Sequence, residues 1–307
     1  MKNHRQVLEA GFTLVEAVVV IAVTGIVAAA VARFISAPVT GYVDTARRAE
    51  LVDIADTALR RIGRDLHDAL PNSVRVTNVG SVFFLEFLQV RTGGRYRASA
   101  HSGGATAPVC PSDDTRVTDN DILSFYASPS VLTDTCFKTL GNIPNRAQIV
   151  NTDFVVVFNL GIPGASAYES PNTNKSLISS TSTSGNEDRI AFNAQTFRLS
   201  SPGNRFVVIT GPVSYVCDPA AGTLRRYSGY TIQVAQPNNA AAAPLSTAPA
   251  NNLLASNVNA CTFTYNAAAV AQRDGLVSMS LSVTEVSSQG QNETVSLYEA
   301  VHVSNVP

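Results

Sequence analysis

From Phe12 to Ala32 the chain is apolar at nearly every position; Glu16 is the only ionisable residue, and Thr13 and Thr24 are the other polar side chains. These 21 residues make ~31 Å of helix at ~1.5 Å per residue, enough to cross a bilayer's hydrocarbon core. Leu14, Val15, Val18, Val19, Val20, Ile21, Val23, Ile26 and Val27 leave no polar face. A soluble amphipathic helix carries one apolar stripe, so this pattern predicts a membrane-spanning helix over residues 12–37.

After Arg33 and the Ser36-Ala37-Pro38 step the period changes. Leu51, Ile54, Ala58, Ile62, Leu66 and Leu70 recur at spacings of three and four, which predicts one apolar stripe on a second, amphipathic helix from Pro38 to Leu70. Pro38 suits a first helical turn and would kink a continuous helix, and Pro71-Asn72 ends the pattern, so this unit spans 38–72. Asp44, Arg47, Arg48, Asp56, Arg60, Arg61, Arg64 and Asp65 fall mostly off the stripe, with Asp44–Arg48 and Asp56–Arg60 at i, i+4. The basic cluster reads as a solvated helix face in preference to a lipid- or partner-binding patch.

From Ser73 the period becomes that of strands, and residues 73–307 form a β-rich head. SVRV, SVFFLEFLQV and RYRAS come first, with Thr92-Gly93-Gly94 as a hairpin turn. ILSFYA and Phe154–Leu160 follow, then RIAFNAQTFRL, RFVVITG, PVSYVC, TLRRYSGYTIQV, ACTFTYN, LVSMSLSVTEV and TVSLYEAVHVSNVP. The segment DPAAG between Cys217 and Thr223 reads as a compact turn. Ser170–Glu187, rich in Ser, Thr and Asn, reads as an exposed loop, and the Ala- and Pro-rich Pro237–Asn252 as a mobile one. The fold class is therefore α+β, a long N-terminal helix packed on antiparallel sheet.

Charge alters this picture little. Charged residues make up 15% of the 307 and the net charge is −1, so nothing at the level of the whole chain recruits nucleic acid. Lys2 and Arg5 precede the apolar run, with His4 part of the same basic leader and Glu9 a partial offset; they place the N-terminus in the cytoplasm and the chain after Arg33 in the periplasm. In that oxidising compartment the even set Cys110, Cys136, Cys217 and Cys261 favours two disulfides. Three connectivities are open, and pairing of sequence neighbours is preferred, Cys110–Cys136 with Cys217–Cys261. No CxxC spacing supports zinc or thioredoxin-like chemistry.

Signs of catalysis are missing. The sequence has no Gly-rich phosphate loop, no GxSxG and no HExxH, and His67, His101 and His302 are dispersed. Asp113, Asp114, Asp119 and Asp121 invite a calcium reading, but their spacing matches no EF-hand loop and turns collect aspartate. Asn174 and Asn292 begin glycosylation sequons of a kind that chance produces often. No cofactor, metal or catalytic residue is expected.

Glu16 is the exception to an otherwise plain anchor. A carboxylate inside the hydrocarbon costs ~2.5–3.5 kcal/mol on insertion scales, and an intramembrane charge is by default functional. Gly11 stands before the apolar run, whereas a general secretory signal places its small residue after one. Together Gly11, Phe12 and Glu16 resemble the class III prepilin signal of type IV pilins and type II secretion pseudopilins. The resemblance implies a leader of residues 1–11, cleavage between Gly11 and Phe12 by prepilin peptidase, and N-methylation of Phe12. It also implies that Glu16 neutralises the N-terminal amine of a neighbouring subunit as helices bundle.

A second resemblance rests on TGYVDTARRAELVDIADTALRRIGRDLHDALPNSVRV, VSYVCDPAAGTLRRYSGY, NACTFTY and the closing VHVSNVP. These look like the MshO family of the mannose-sensitive haemagglutinin (MSHA) pilus system, related to the J-type minor pseudopilins. Arg33 stands where many major pilins kink their helix with proline, which would shift a kink toward Pro38. The resemblance implies a non-enzymatic minor pilin of the inner membrane that enters a pilus or its initiation complex with other minor and major pilins. The alternatives are a J-like pseudopilin of a secretion system and an adhesive tip subunit. A membrane-anchored enzyme would have no use for Glu16.

Overall fold

The computed structural model describes residues 11–99, 110, 121–126, 133–265, 274–287 and 289–307. One helix, α1, runs from Leu14 to His67, 54 residues or ~81 Å. The separate helix expected from Pro38 is absorbed into it. Proline lacks one N–H, which removes a single bond from a long ladder, and the turns on either side continue the helix. α1 also stops short of Leu70. The Asp68 N–H bonds back to the Asp65 and Leu66 carbonyls, and Ala69 and Leu70 leave to pair with β-structure, Leu70 N donating to Leu88 O at 2.8 Å.

Twelve strands follow among the described residues: β1 Arg75–Val79, β2 Val82–Arg95, β3 Asp134–Lys138, β4 Phe154–Val156, β5 Lys175–Ser184, β6 Glu187–Gln195, β7 Arg205–Asp218, β8 Thr223–Ser228, β9 Ala250–Ala255, β10 Val258–Tyr265, β11 Asp274–Val286 and β12 Asn292–Ser304. Their ladders are antiparallel. The larger sheet runs β1-β2-β7-β4-β5-β6-β3, and β8 and β9 extend from β7; the smaller is β10-β11-β12.

The second half of α1 lies on the smaller sheet and reaches the larger one. Leu51, Ala55, Ala58, Leu59, Ile62 and Leu66 are buried with Val277, Met279, Leu281 and Val283 of β11, Val301 and Val303 of β12, and Leu85, Phe87, Val213 and Tyr215 of the large sheet. β11 shows why the sequence folds this way: its apolar residues alternate with Ser278, Ser280 and Ser282, so one face meets the helix and the other meets water. At Gly63 the two elements come close, since a Cβ there would lie 2.9 Å from Glu299 Oε1. A second core gathers Tyr96, Phe137, Phe192, Phe197 and Phe206 at the far end of the large sheet, with Phe137 and Phe206 ring centroids 5.1 Å apart.

Several expectations are corrected. Thr92-Gly93-Gly94 is no turn but lies inside β2, beside a bulge in its pairing with β7. Its glycines serve close approach: a Cβ on Gly93 would sit 2.9 Å from Phe206 O, and one on Gly94 3.0 Å from the Phe206 ring. The hairpin turn is earlier, at Gly80-Ser81, where Gly80 takes φ +60°. Ser170–Glu187 is largely strand, because β5 pairs with β4 and β6 and needs no strong apolar period at its polar, outer half. Pro237–Asn252 is packed, with Leu245 fully buried against Phe84, Val216, Tyr227 and Tyr230. RFVVITG and PVSYVC form one strand, β7, which changes partner on one edge between them, from β4 to β8.

Candidate functional site

The N-terminal junction is open. Thr13, in extended conformation, caps α1, its Oγ1 accepting the Glu16 N–H at 3.2 Å. This puts Glu16 at the third helical position, where the partial positive charge of the helix start favours a carboxylate. Its side chain is exposed and makes no ion pair or hydrogen bond with another described residue. A Cβ on Gly11 would meet nothing within 4 Å, so the folded chain itself places no demand for glycine there.

From Leu14 to Ile35 the helix is apolar, long enough to cross a membrane, and unburied by the rest of the chain. Phe12, Leu14, Ile21, Ile26 and Phe34 are each at least 70% exposed. In the middle, the Thr24 hydroxyl donates to Val20 O at 2.7 Å and so satisfies itself in an apolar medium. The helix is thus a free apolar rod with one carboxylate at its start.

Two buried polar nodes fasten the head to that rod and to itself. Asp65, on α1, accepts from Tyr215 Oη at 2.7 Å, from Arg226 Nε at 2.7 Å and pairs with Arg61 Nε at 3.1 Å. Burial, then the adjacent Asp65 carboxylate, pushes the Tyr215 hydroxyl pKa up. Glu86 on β2 accepts from Arg75 Nε at 2.8 Å and Tyr230 Oη at 3.0 Å. Burial raises the Glu86 carboxyl although Arg75 opposes it. Arg75 also lies 3.6 Å from the centroid of the Tyr168 ring. Sequence reading missed both nodes because each joins residues far apart in the chain; Asp65 merely looked like one more charge among Arg60, Arg61 and Arg64.

Arg48, expected to pair along the helix with Asp44, reaches Glu293 on β12 at 2.7 Å, and Arg47 takes Asp44 at 3.3 Å. Asp56–Arg60 is present at 2.7 Å. Cys110 is bridged to Cys136 and Cys217 to Cys261, with Cα atoms 5.6 and 6.5 Å apart. The second bridge ties the large sheet to the small one. Asp121 is buried against Lys138 Nζ at 2.9 Å and accepts from Cys110 N at 3.2 Å, a structural use of that carboxylate. Asp113, Asp114 and Asp119, His4 and His101 lie outside the described residues. His67 ends α1 and His302 is exposed on β12, so these two are not brought together. Asn174 is buried, its Nδ2 donating to Asn159 Oδ1 at 3.3 Å, which leaves a glycan no room. Among the described residues no group of three or more His, Cys, Asp or Glu side chains could hold a metal ion.

The prokaryotic N-terminal methylation motif matches residues 8–32. Neither a curated protein nor a solved structure matches the chain. With its apolar N-terminal helix, the one such helix among the described residues, the chain is type IV pilin-like in general, and the motif implies processing by a prepilin peptidase. The architecture, a long helix on antiparallel sheets, matches that of a structural pilin-type protein.

Proposed function

We propose that this chain is a minor pilin that takes part in initiating or assembling a type IV pilus of the MSHA type. The observation that carries the reading is Glu16, an exposed carboxylate on an apolar helix with no partner of its own among the described residues. A charge in hydrocarbon requires an opposite one, and the free ammonium of a neighbouring subunit's first residue has the right sign and depth. In this reading residues 1–11 are the cytoplasmic leader and prepilin peptidase cuts between Gly11 and Phe12. Phe12 is then methylated, and residues 12–37 hold the subunit in the inner membrane before they bundle with other pilins. Residues 38–72 carry the rod into the periplasm and 73–307 form the head. The open surroundings of Gly11 support a demand made by the peptidase, not by the fold. The specific pilus system rests on the resemblance of the Thr40–Val76 stretch and the three shorter motifs.

The test is Glu16→Ala, read by crosslinking to minor-pilin partners and by a pilus count. Processing and membrane insertion should persist, since removing a charge makes insertion easier. Assembly should fall by orders of magnitude, because an ammonium left buried and unpaired costs ~3–5 kcal/mol. Unchanged crosslinking and piliation would show that the carboxylate is not an assembly device. Loss of protein secretion with normal piliation would move the subunit to a secretion system.

A further inference from the structure

β7 bonds β4 as far as Ile209 and β8 from Val213, on the same edge. Between them Gly211 takes φ +125° and Pro212 has no N–H to offer. Where the two partner strands part, a cleft of about 610 Å³ opens. Phe154, Leu177, Pro212, Ile232 and Val234 give it apolar walls. Tyr168 and Tyr230 present rings only, since their hydroxyls are engaged, Tyr168 Oη donating to Ser73 O at 3.0 Å and Tyr230 Oη to Glu86 Oε1 at 3.0 Å.

Two polar groups in the cleft are not used up. Lys175 is only 7% exposed, and its ammonium donates one hydrogen bond, to Glu169 O at 3.1 Å; two of its three N–H donors have no partner among the described residues. The Asn172 Oδ1 is buried without a partner, and an amide flip lets that side chain present either an acceptor or a donor. Leaving such groups unmatched is costly, whereas a ligand that takes them recovers the loss. The Glu169 carboxylate lies at the same cleft but accepts from the Gly164 N–H at 2.8 Å. One ammonium, partly offset by one carboxylate, suits a single negative charge; a phosphoryl dianion calls for more donors.

We propose that this cleft binds a small monocarboxylate with an apolar body, its carboxylate on Lys175 Nζ and the Asn172 amide and its body between Phe154, Leu177 and Ile232. The site is independent of the assembly role of the helix. Burial lowers the Lys175 pKa to about 8, with the Glu169 charge opposing, so the ammonium carries its proton at neutral pH and loses it in mild alkali.

The probes are benzoate, the neutral benzamide and the dianionic phenyl phosphate, added to the full-length protein in detergent. Binding is read by calorimetry and by the rate of amine-specific acylation, mapped by mass spectrometry. The chain has three lysines, Lys2, Lys138 and Lys175, and Lys138 is buried on Asp121, so Lys175 is resolved without ambiguity. Benzoate should bind and slow acylation of Lys175, benzamide should do neither, and benzoate affinity should fall as pH rises past about 8. Lys175→Met should weaken benzoate about tenfold or more while the thermal midpoint holds or rises, because a charged hydrogen bond is lost from the complex and a buried charge from the free protein. Equal binding of benzoate to Lys175→Met, equal protection by benzamide, or no benzoate binding would overturn the proposal. Tighter binding of phenyl phosphate would overturn the assignment to carboxylates.

Discussion

Asp65→Ala tests what fixes the head to the rod. The side chain is 8% exposed and serves three donors: Tyr215 Oη, Arg226 Nε and Arg61 Nε. Removing it orphans the hydroxyl of Tyr215, whose residue is 0% exposed, at about 1–3 kcal/mol. Arg226 keeps Ser228 Oγ at 3.0 Å and Gln89 Oε1 at 3.2 Å, so its loss is partial, and Arg61, half in solvent, loses little. The sum falls near ~3–5 kcal/mol, the range for breaking one side of a buried pair. The comparison is Asp56→Ala, which breaks the exposed Arg60–Asp56 pair, screened by solvent, and should cost far less. Urea unfolding of the two variants in detergent, followed by circular dichroism, should show a lower midpoint for Asp65→Ala at an unchanged slope. A cost for Asp65→Ala no larger than for Asp56→Ala would refute the anchor.

The exported protein should begin at Phe12 with a methylated amine, leaving 296 of the 307 residues (307 − 11); mass spectrometry that finds Met1 retained, or a cut beyond Ser36, would remove the prepilin reading. Gly11→Ala should permit some cutting, since Ala is small, and a bulky residue should block it. Reducing the bridges should destabilise the head by about 3–4 kcal/mol each in the loop-entropy account, given sequence separations of 26 and 44, and four reactive thiols in natively exported protein would contradict the pairs. Gly93→Ala should cost ~1–3 kcal/mol, because the Phe206 carbonyl lies in the way, while Gly41→Ala on the open helix face should gain ~0.5–1 kcal/mol; equal effects in thermal melts would show that β2 yields at Gly93.

The apolar half of the rod is a local feature. Helicity of the apolar run, its all-round apolarity and the place of Glu16 in it are local properties, legible from Gly11, Phe12 and the residues behind them, whereas the continuity of the helix through Pro38 was not. The stripe Leu51–Leu66 and the alternation in β11 were legible for the same reason, since a period of 3.6 or 2 needs no knowledge of the partner. Other features depend on contacts between segments distant in the chain. Thr92-Gly93-Gly94 carries the composition of a turn, yet the two-sided pairing of β2 and the approach of Phe206 make it strand interior. Polar Lys175–Ser184 lacks a clear period and becomes strand because β4 and β6 offer it hydrogen bonds. Asp65 meets Tyr215 and Arg226 across 150 and 161 residues, and Lys175 meets its cleft because β7 exchanges β4 for β8 at Gly211-Pro212. Such meetings are set by which strand lies beside which, a choice made by the packing of the whole chain and carried by no single segment of it.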